Sequence, residues 1–316
     1  MSWRWGVALV AVLLAGCAAR ADVPEEPAPT GLLGALAGVR AVDGAAEFVE
    51  YGDVAAVRAL VARDPERFRG LEGYGYSPLA AVGGGLADVV GFDPARATSA
   101  LRVGRSAWAS VVRAEVDVAA VEARLTALGG RRDGSGTWTT AADGAVSPDG
   151  PLARVGVVTG FQRVRVAPGS VVHATGGEAL GWVTEPGDRT LAADPMIGEL
   201  ARCLGEVPVA LVAKPKTGLP VAVGVRASPT ATGEATEVVC VPDENPKALA
   251  GRVRDNLGTG AATGGEPWST ALPGALVEQP ADQSGVVRVL VPAGPGTRAG
   301  RVLLAWQRGD LPALFS

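Results

Sequence analysis

Val164-Arg-Val-Ala-Pro-Gly-Ser-Val-Val172 carries the pattern that decides the fold. Two short runs rich in β-branched residues meet at Pro168-Gly169, a dipeptide that punctuates a turn, so the segment predicts a hairpin of strands 162–167 and 170–174. Hairpins pair strands antiparallel, and further short runs flank this one. They lie at 137–140, 155–159 and 180–184, and later at 207–213, 220–226, 237–241, 286–291 and 302–307. Earlier strands are predicted at 45–51 and 108–116.

Helical signals interrupt these runs. Asp53 precedes Val54, Val57 and Val61 on one face, and Asp117 precedes Val118, Val121, Leu125 and Leu128 before Gly129-Gly130. Asp93-Pro94, Asp194-Pro195 and Asn245-Pro246 each pair a capping residue with a first-turn proline. They predict helices that end at Gly104, that bury Ile197, Leu200 and Leu204, and that align Leu249, Val253 and Leu257. Segment 77–90 reads as helix around a break at Gly83-Gly84-Gly85. Hairpins mixed with helices, rather than regular strand–helix alternation, predict an α+β fold with antiparallel-rich sheets and packed amphipathic helices. A doubly wound fold fits this pattern poorly. Asp53-Val-Ala-Ala-Val57 is echoed by Asp117-Val-Ala-Ala-Val121, which suggests two similar subdomains dividing near residue 205.

The N-terminus addresses location. Arg4 precedes an apolar run from Trp5 to Ala15, and Leu14-Ala15-Gly16-Cys17 closes it. A cationic start, an apolar core and a small-residue exit are the layout of an export signal. A membrane-spanning helix needs about 20 apolar residues, and Arg20, Asp22, Glu25 and Glu26 stop this run earlier. Leu14-Ala15-Gly16-Cys17 resembles the lipobox of bacterial lipoprotein precursors. That resemblance implies cleavage before Cys17, acylation of its sulfur and new amino group, and residence on the extracytoplasmic face of the cell membrane. Ordinary secretory cleavage in the same small-residue stretch is the alternative. Residues 1–16 are thus read as signal peptide and 17–30 as lipidated Cys17 with a Pro- and acid-rich tether. Residues 31–316 are the globular body. Only Lys214, Lys216 and Lys247 are lysine among 29 basic residues. With the lipobox, the tether and Val89-Val-Gly-Phe-Asp-Pro94, the chain resembles envelope lipoproteins of high-GC Gram-positive bacteria, a group that implies location and anchoring but no activity.

Composition narrows the partners. A net charge of −4 argues against sequence-independent nucleic-acid binding and against electrostatic adsorption to anionic lipid. The expected partners are the membrane, through Cys17, and an envelope protein or ligand of unspecified identity. Apart from Cys17, the chain has Cys203 and Cys240. An even pair in an exported chain predicts a disulfide, worth about 4 kcal/mol by chain entropy; two buried thiols are the alternative.

No catalytic set stands out. His173 is the sole imidazole and lies in a strand between valines and alanine, without a GxSxG motif, so a structural position on the strand surface is expected. No SxxK accompanies the lysines, and Gly83–Gly85 and Gly258–Gly265 match no phosphate-loop spacing. Asp133-Gly-Ser-Gly136 and Asp143–Gly150 lack the alternating acids of a calcium loop, and no zinc ligand set occurs, so no cofactor is expected. Glu47 and Glu50 illustrate an acid pair that a hydrolase could use. Trp108 and Trp306 are expected in strands of the core, and Trp268, in a Gly-Glu-Pro-Trp-Ser loop, is a candidate partner contact. The reading is a membrane-anchored, non-catalytic binding or scaffold protein, with a carboxylate-dependent hydrolase or an apolar-ligand carrier as alternatives.

Overall fold

The computed structural model describes residues 30–80, 85–216, 218–228, 235–283 and 285–316. The strands, in chain order, are β1 (Phe48–Gly52), β2 (Ser99–Val103), β3 (Ala109–Arg113), β4 (Arg131–Arg132), β5 (Thr137–Thr139) and β6 (Arg163–Ala167). They continue with β7 (Ser170–Ala174), β8 (Val209–Ala213), β9 (Val221–Arg226), β10 (Ala235–Pro242), β11 (Leu276–Glu278) and β12 (Val286–Ala293). All join one sheet in the order β11-β12-β10-β9-β8-β1-β2-β3-β7-β6-β5-β4, and every ladder is antiparallel. The fold is α+β.

The helices are α1 (Gly31–Ala37), α2 (Asp43–Ala46), α3 (Val54–Arg63), α4 (Pro65–Phe68), α5 (Ser77–Ala80), α6 (Gly85–Val90) and α7 (Val118–Ala127). After them come α8 (Gly177–Thr184), α9 (Ile197–Leu204), α10 (Pro246–Thr259), α11 (Trp268–Ala271), α12 (Arg301–Gln307) and α13 (Leu311–Phe315). They cover both faces of the sheet. On one face α1, α2, α8 and α9 bury Leu36, Leu180, Trp182 and Leu200 against Val49, Val103 and Val212. The opposite face carries two cores. Helices α3, α4 and α10–α13 pack on β8–β12, and α5–α7 pack on β2, β3, β6 and β7. Strands β8 and β9 are therefore buried and apolar on both sides, which explains their near-continuous Val and Ala runs.

Local chemistry forms several helix starts as the sequence predicts. The Asp53, Asp117 and Asn245 side chains accept the backbone N–H of Ala56, Ala120 and Ala248 at 2.9, 3.0 and 3.2 Å. Asp194 accepts from Met196 and Ile197, both at 2.9 Å. The hairpin at Pro168-Gly169 joins β6 to β7 in register Ala167↔Ser170. Cys203 on α9 and Cys240 on β10 form a disulfide with Cα atoms 6.2 Å apart, fastening the helix to the sheet.

Other expectations are corrected. Asp93-Pro94 opens only a 3₁₀ turn, Pro94–Arg96, and residues 99–103 become β2 at the centre of the sheet. There Leu101 and Val103 face one core while Ala100 faces another, a period of two that a helix cannot satisfy. Residues 180–184 belong to α8 and 302–307 to α12, because a short apolar run fits either element and packing decides. For α12 the deciding contact is remote. Buried Glu237 on β10 accepts the Val302 N–H at 2.8 Å and the Arg301 Nε–H at 2.9 Å. Trp306 is accordingly helical and half-buried rather than in a strand. Residues 155–159 hold the end of a 3₁₀ turn and a loop, and the first strand starts at Phe48, after α2.

The echo Asp53–Val57 and Asp117–Val121 does not mark equivalent places: α3 follows a first strand and α7 a third. The likeness of the halves lies in connectivity. The meander β1-β2-β3 leads through α7 to β7 beside β3, and β8-β9-β10 leads through α10 to β12 beside β10. No domain break interrupts the sheet near residue 205, since β1 and β8 pair over five residues from Phe48↔Ala213 to Gly52↔Val209.

Candidate functional site

A row of polar residues crosses the middle of the sheet, next to the β1–β8 join. The registers Glu50↔Arg102, Arg102↔Ser110 and Ser110↔His173 place four side chains side by side on β1, β2, β3 and β7. Directly paired residues share a face, so all four point toward the side that carries α3. Leu211 and Val164 bound the row. Glu50, Ser110 and His173 are buried.

Burial of charge is costly unless partners compensate it. Glu50 has them: the Ser77 hydroxyl donates to its Oε2 at 2.7 Å, and Arg102 Nη1 stands 3.7 Å from the same oxygen. Burial still raises the Glu50 carboxyl above the usual carboxylate range, against the pull of Ser77 and Arg102. The Arg102 guanidinium lies over the rings of Trp108 and Phe48, 5.0 and 5.4 Å from their centroids.

Above Glu50 the row opens into a cleft of about 240 Å³. Glu72, Tyr74 and Ser77 form one wall, and Gln307 at the end of α12 forms the other. The Gln307 amide donates to the Tyr74 hydroxyl at 3.0 Å. Burial and the charge of Glu50 push the Tyr74 phenol up to about 12, so it stays protonated. The wall is seated by a close approach: a Cβ on Gly52 would lie 2.2 Å from the Tyr74 carbonyl oxygen. Chemically the cleft offers two carboxylates, two hydroxyls and an amide. That set suits a ligand rich in hydrogen-bond donors, such as a polyol or an amine.

The other end of the row is closed. His173 stacks on Phe161 at 4.5 Å and meets the edge of Trp108 at 5.5 Å. Its Nδ1 bonds the Gly160 carbonyl at 2.9 Å, which makes Nδ1 the protonated nitrogen of the neutral ring. Nε2 and the Ser110 hydroxyl on the neighbouring strand have no hydrogen-bond partner among the described residues, and both residues are buried. Burial lowers the imidazole to about 4. A structural position for His173 agrees with expectation, but it lies in the core and not on a strand surface. Serine and histidine are adjacent here, yet a substrate cannot reach them.

Compared with known protein families, with curated proteins and with solved structures, the chain matches none.

The residues singled out by sequence scatter. Cys17 lies outside the described residues. Trp268 is fully buried at the start of α11, packed in the core beside α10 and α12. A side chain with no exposed surface offers none to a partner, so the partner-contact expectation gives way to a core position. Its Nε1–H has no hydrogen-bond partner among the described residues. Glu47 and Glu50 do not form an acid pair. Glu47 meets Lys216 at 3.0 Å on the surface, and Glu50 turns inward. Arg102, Ser77, Tyr74 and Gln307 were not foreseen. Only strand register and the return of α12 bring them to Glu50. Among the described residues no three His, Cys, Asp or Glu side chains converge as metal ligands, and no helix is long and apolar enough to cross a membrane.

Proposed function

We propose that the protein is an extracytoplasmic lipoprotein, held on the cell membrane by acyl chains on Cys17, that binds a small donor-rich ligand in the central cleft without transforming it. The lipobox supports the anchor. The observation that carries the binding reading is Glu50: a carboxylate buried on the floor of an open cleft, fixed by Ser77 and Arg102. A pre-set acceptor on a rigid sheet suits recognition, since its geometry costs the ligand little ordering. Two tests apply. Mass spectrometry of the membrane-extracted protein should find acyl chains on Cys17 as the first residue, and the Cys17→Ser protein should carry no acyl chains and keep its signal uncleaved. Thermal-shift titration with hexoses, amino sugars and polyamines should find a stabilising compound whose effect is lost in Glu50→Gln. A Glu50→Gln protein that responds like wild type to every compound refutes the cleft as the binding site.

A second reading rests on the 2.7 Å Ser77–Glu50 hydrogen bond, which pairs a hydroxyl with a carboxylate as a nucleophile pairs with its base. A fluorophosphonate probe separates the two readings. A covalent adduct on Ser77 that disappears in Glu50→Gln favours the carboxylate-dependent hydrolase, and no adduct favours binding.

A further inference from the structure

Arg67, on α4, is the one buried cation among the described residues. The buried acids are compensated. Glu50 has Arg102, Glu237 has Arg301, and Asp310 accepts the Thr263 N–H at 3.2 Å. Arg67 has no carboxylate within ion-pair distance among the described residues. Its Nη2 donates to the Ala293 carbonyl, its guanidinium lies 4.9 Å over the Phe68 ring, and its Nε–H is buried without a partner. A buried guanidinium held by one carbonyl and one ring is under-compensated, because such contacts replace only part of its hydration.

Arg67 also forms part of the wall of an open cavity of about 320 Å³. The other charged walls are Arg69, Arg298 and Glu66. Glu66 spends its charge weakly: it stands 3.9 Å from Arg298, with both side chains more than four-fifths exposed. Three guanidinium groups against one carboxylate leave the cavity positive in a chain whose net charge is −4. Gly70 separates it from the central cleft and adds a wall without a side chain.

We propose that this cavity is a binding site for a phosphate group, with Arg67 as its buried anchor and Arg69 and Arg298 as its mouth. Guanidinium forks match tetrahedral oxyanions and give shorter, stronger hydrogen bonds than neutral donors. The phosphate can be free or carried by a lipid headgroup, and the site chemistry is the same for both. The acidic body repels anions at long range, so binding here requires the local site and not general attraction.

The test uses the full chain in detergent and two probes. Inorganic phosphate is titrated by calorimetry and by thermal shift. Flotation then compares phosphatidylglycerol vesicles with phosphatidylcholine vesicles, using Cys17→Ser protein to remove any acyl anchor. Saturable phosphate binding that weakens about tenfold or more in Arg69→Ala/Arg298→Ala supports the site. Selective flotation with phosphatidylglycerol, lost in the same double variant, supports it with lipid as the source. Arg67→Lys, which keeps charge but loses the fork, should weaken either response further than Arg69→Ala alone. No response to either probe, or a response unchanged in the double variant, overturns the proposal. The double variant alters exposed residues only, so it stays informative if Arg67→Lys fails to fold.

Discussion

Protonation of His173 should set the acid limit of this fold. In the native chain burial lowers the ring to about 4, whereas an unfolded histidine titrates near about 6.5. Between those values the unfolded chain binds a proton that the folded chain refuses, so stability is complete above the unfolded value and is lost as pH falls toward the folded one. The gap corresponds to about 3 kcal/mol in full, and about 2 kcal/mol is already lost by about pH 5. Full burial means solvent screening does not discount the figure. The assay is urea unfolding followed by tryptophan fluorescence at steps from about pH 8 to about pH 4.5, for wild type and His173→Gln. The substitution will shift the baseline stability, and the slope is what matters. Wild type should steepen below about pH 6.5 relative to the variant. Parallel curves would falsify the placement of a neutral imidazole in this core. Because no substrate can reach His173, a deletion strain complemented with His173→Gln at equal protein level should behave as wild type.

Glu50 should act in the opposite sense. Its folded pKa is raised, so its contribution is present at low pH and declines as pH rises above the ordinary carboxylate value, and Glu50→Gln should lack that decline in the same urea series. For Trp268, which is fully buried with an unpaired indole N–H, Phe should be tolerated far better than Ala, whose cavity costs about 3–5 kcal/mol; equal loss in both variants by calorimetric Tm would contradict the core assignment. Replacing Cys203 and Cys240 together by Ser should cost up to about 4 kcal/mol in denaturant midpoint analysis, the loop entropy released across the 37-residue separation. A Gly52→Ala protein should lose the ligand-dependent thermal shift of the cleft before it loses the fold, since its Cβ collides with the Tyr74 carbonyl and pushes the wall that carries Ser77.

Features made by neighbours in sequence were legible, and features made by register were not. Asp53, Asp117 and Asn245 cap their helices with groups three residues away, so the string of residues suffices. The hairpin at Pro168-Gly169 is equally local. The disulfide could be read because no other cysteine competes once Cys17 is set aside as the expected lipid-anchor residue. In contrast, Val302–Gln307 becomes helix because Glu237, on a strand more than sixty residues earlier, receives its first N–H group. The polar row joins residues 50, 102, 110 and 173, whose spacing carries no period and whose meeting depends on three ladders. Arg67 and Arg298 face one cavity from opposite ends of the chain, and neither has a local signature.

The sheet ends in strands of unusual brevity. On one side stands β4, two exposed arginines long, and on the other β11, three residues with Glu278 held to Arg288. A free sheet edge is a template on which a second chain can polymerise, and short, charged borders remove that template. Twelve strands of valine-rich backbone can therefore be stored at high local density without zipping edge to edge. Replacing Arg131 and Arg132 by Val removes the charge from that border, and a rise in thioflavin T fluorescence over wild type at equal concentration is the expected result.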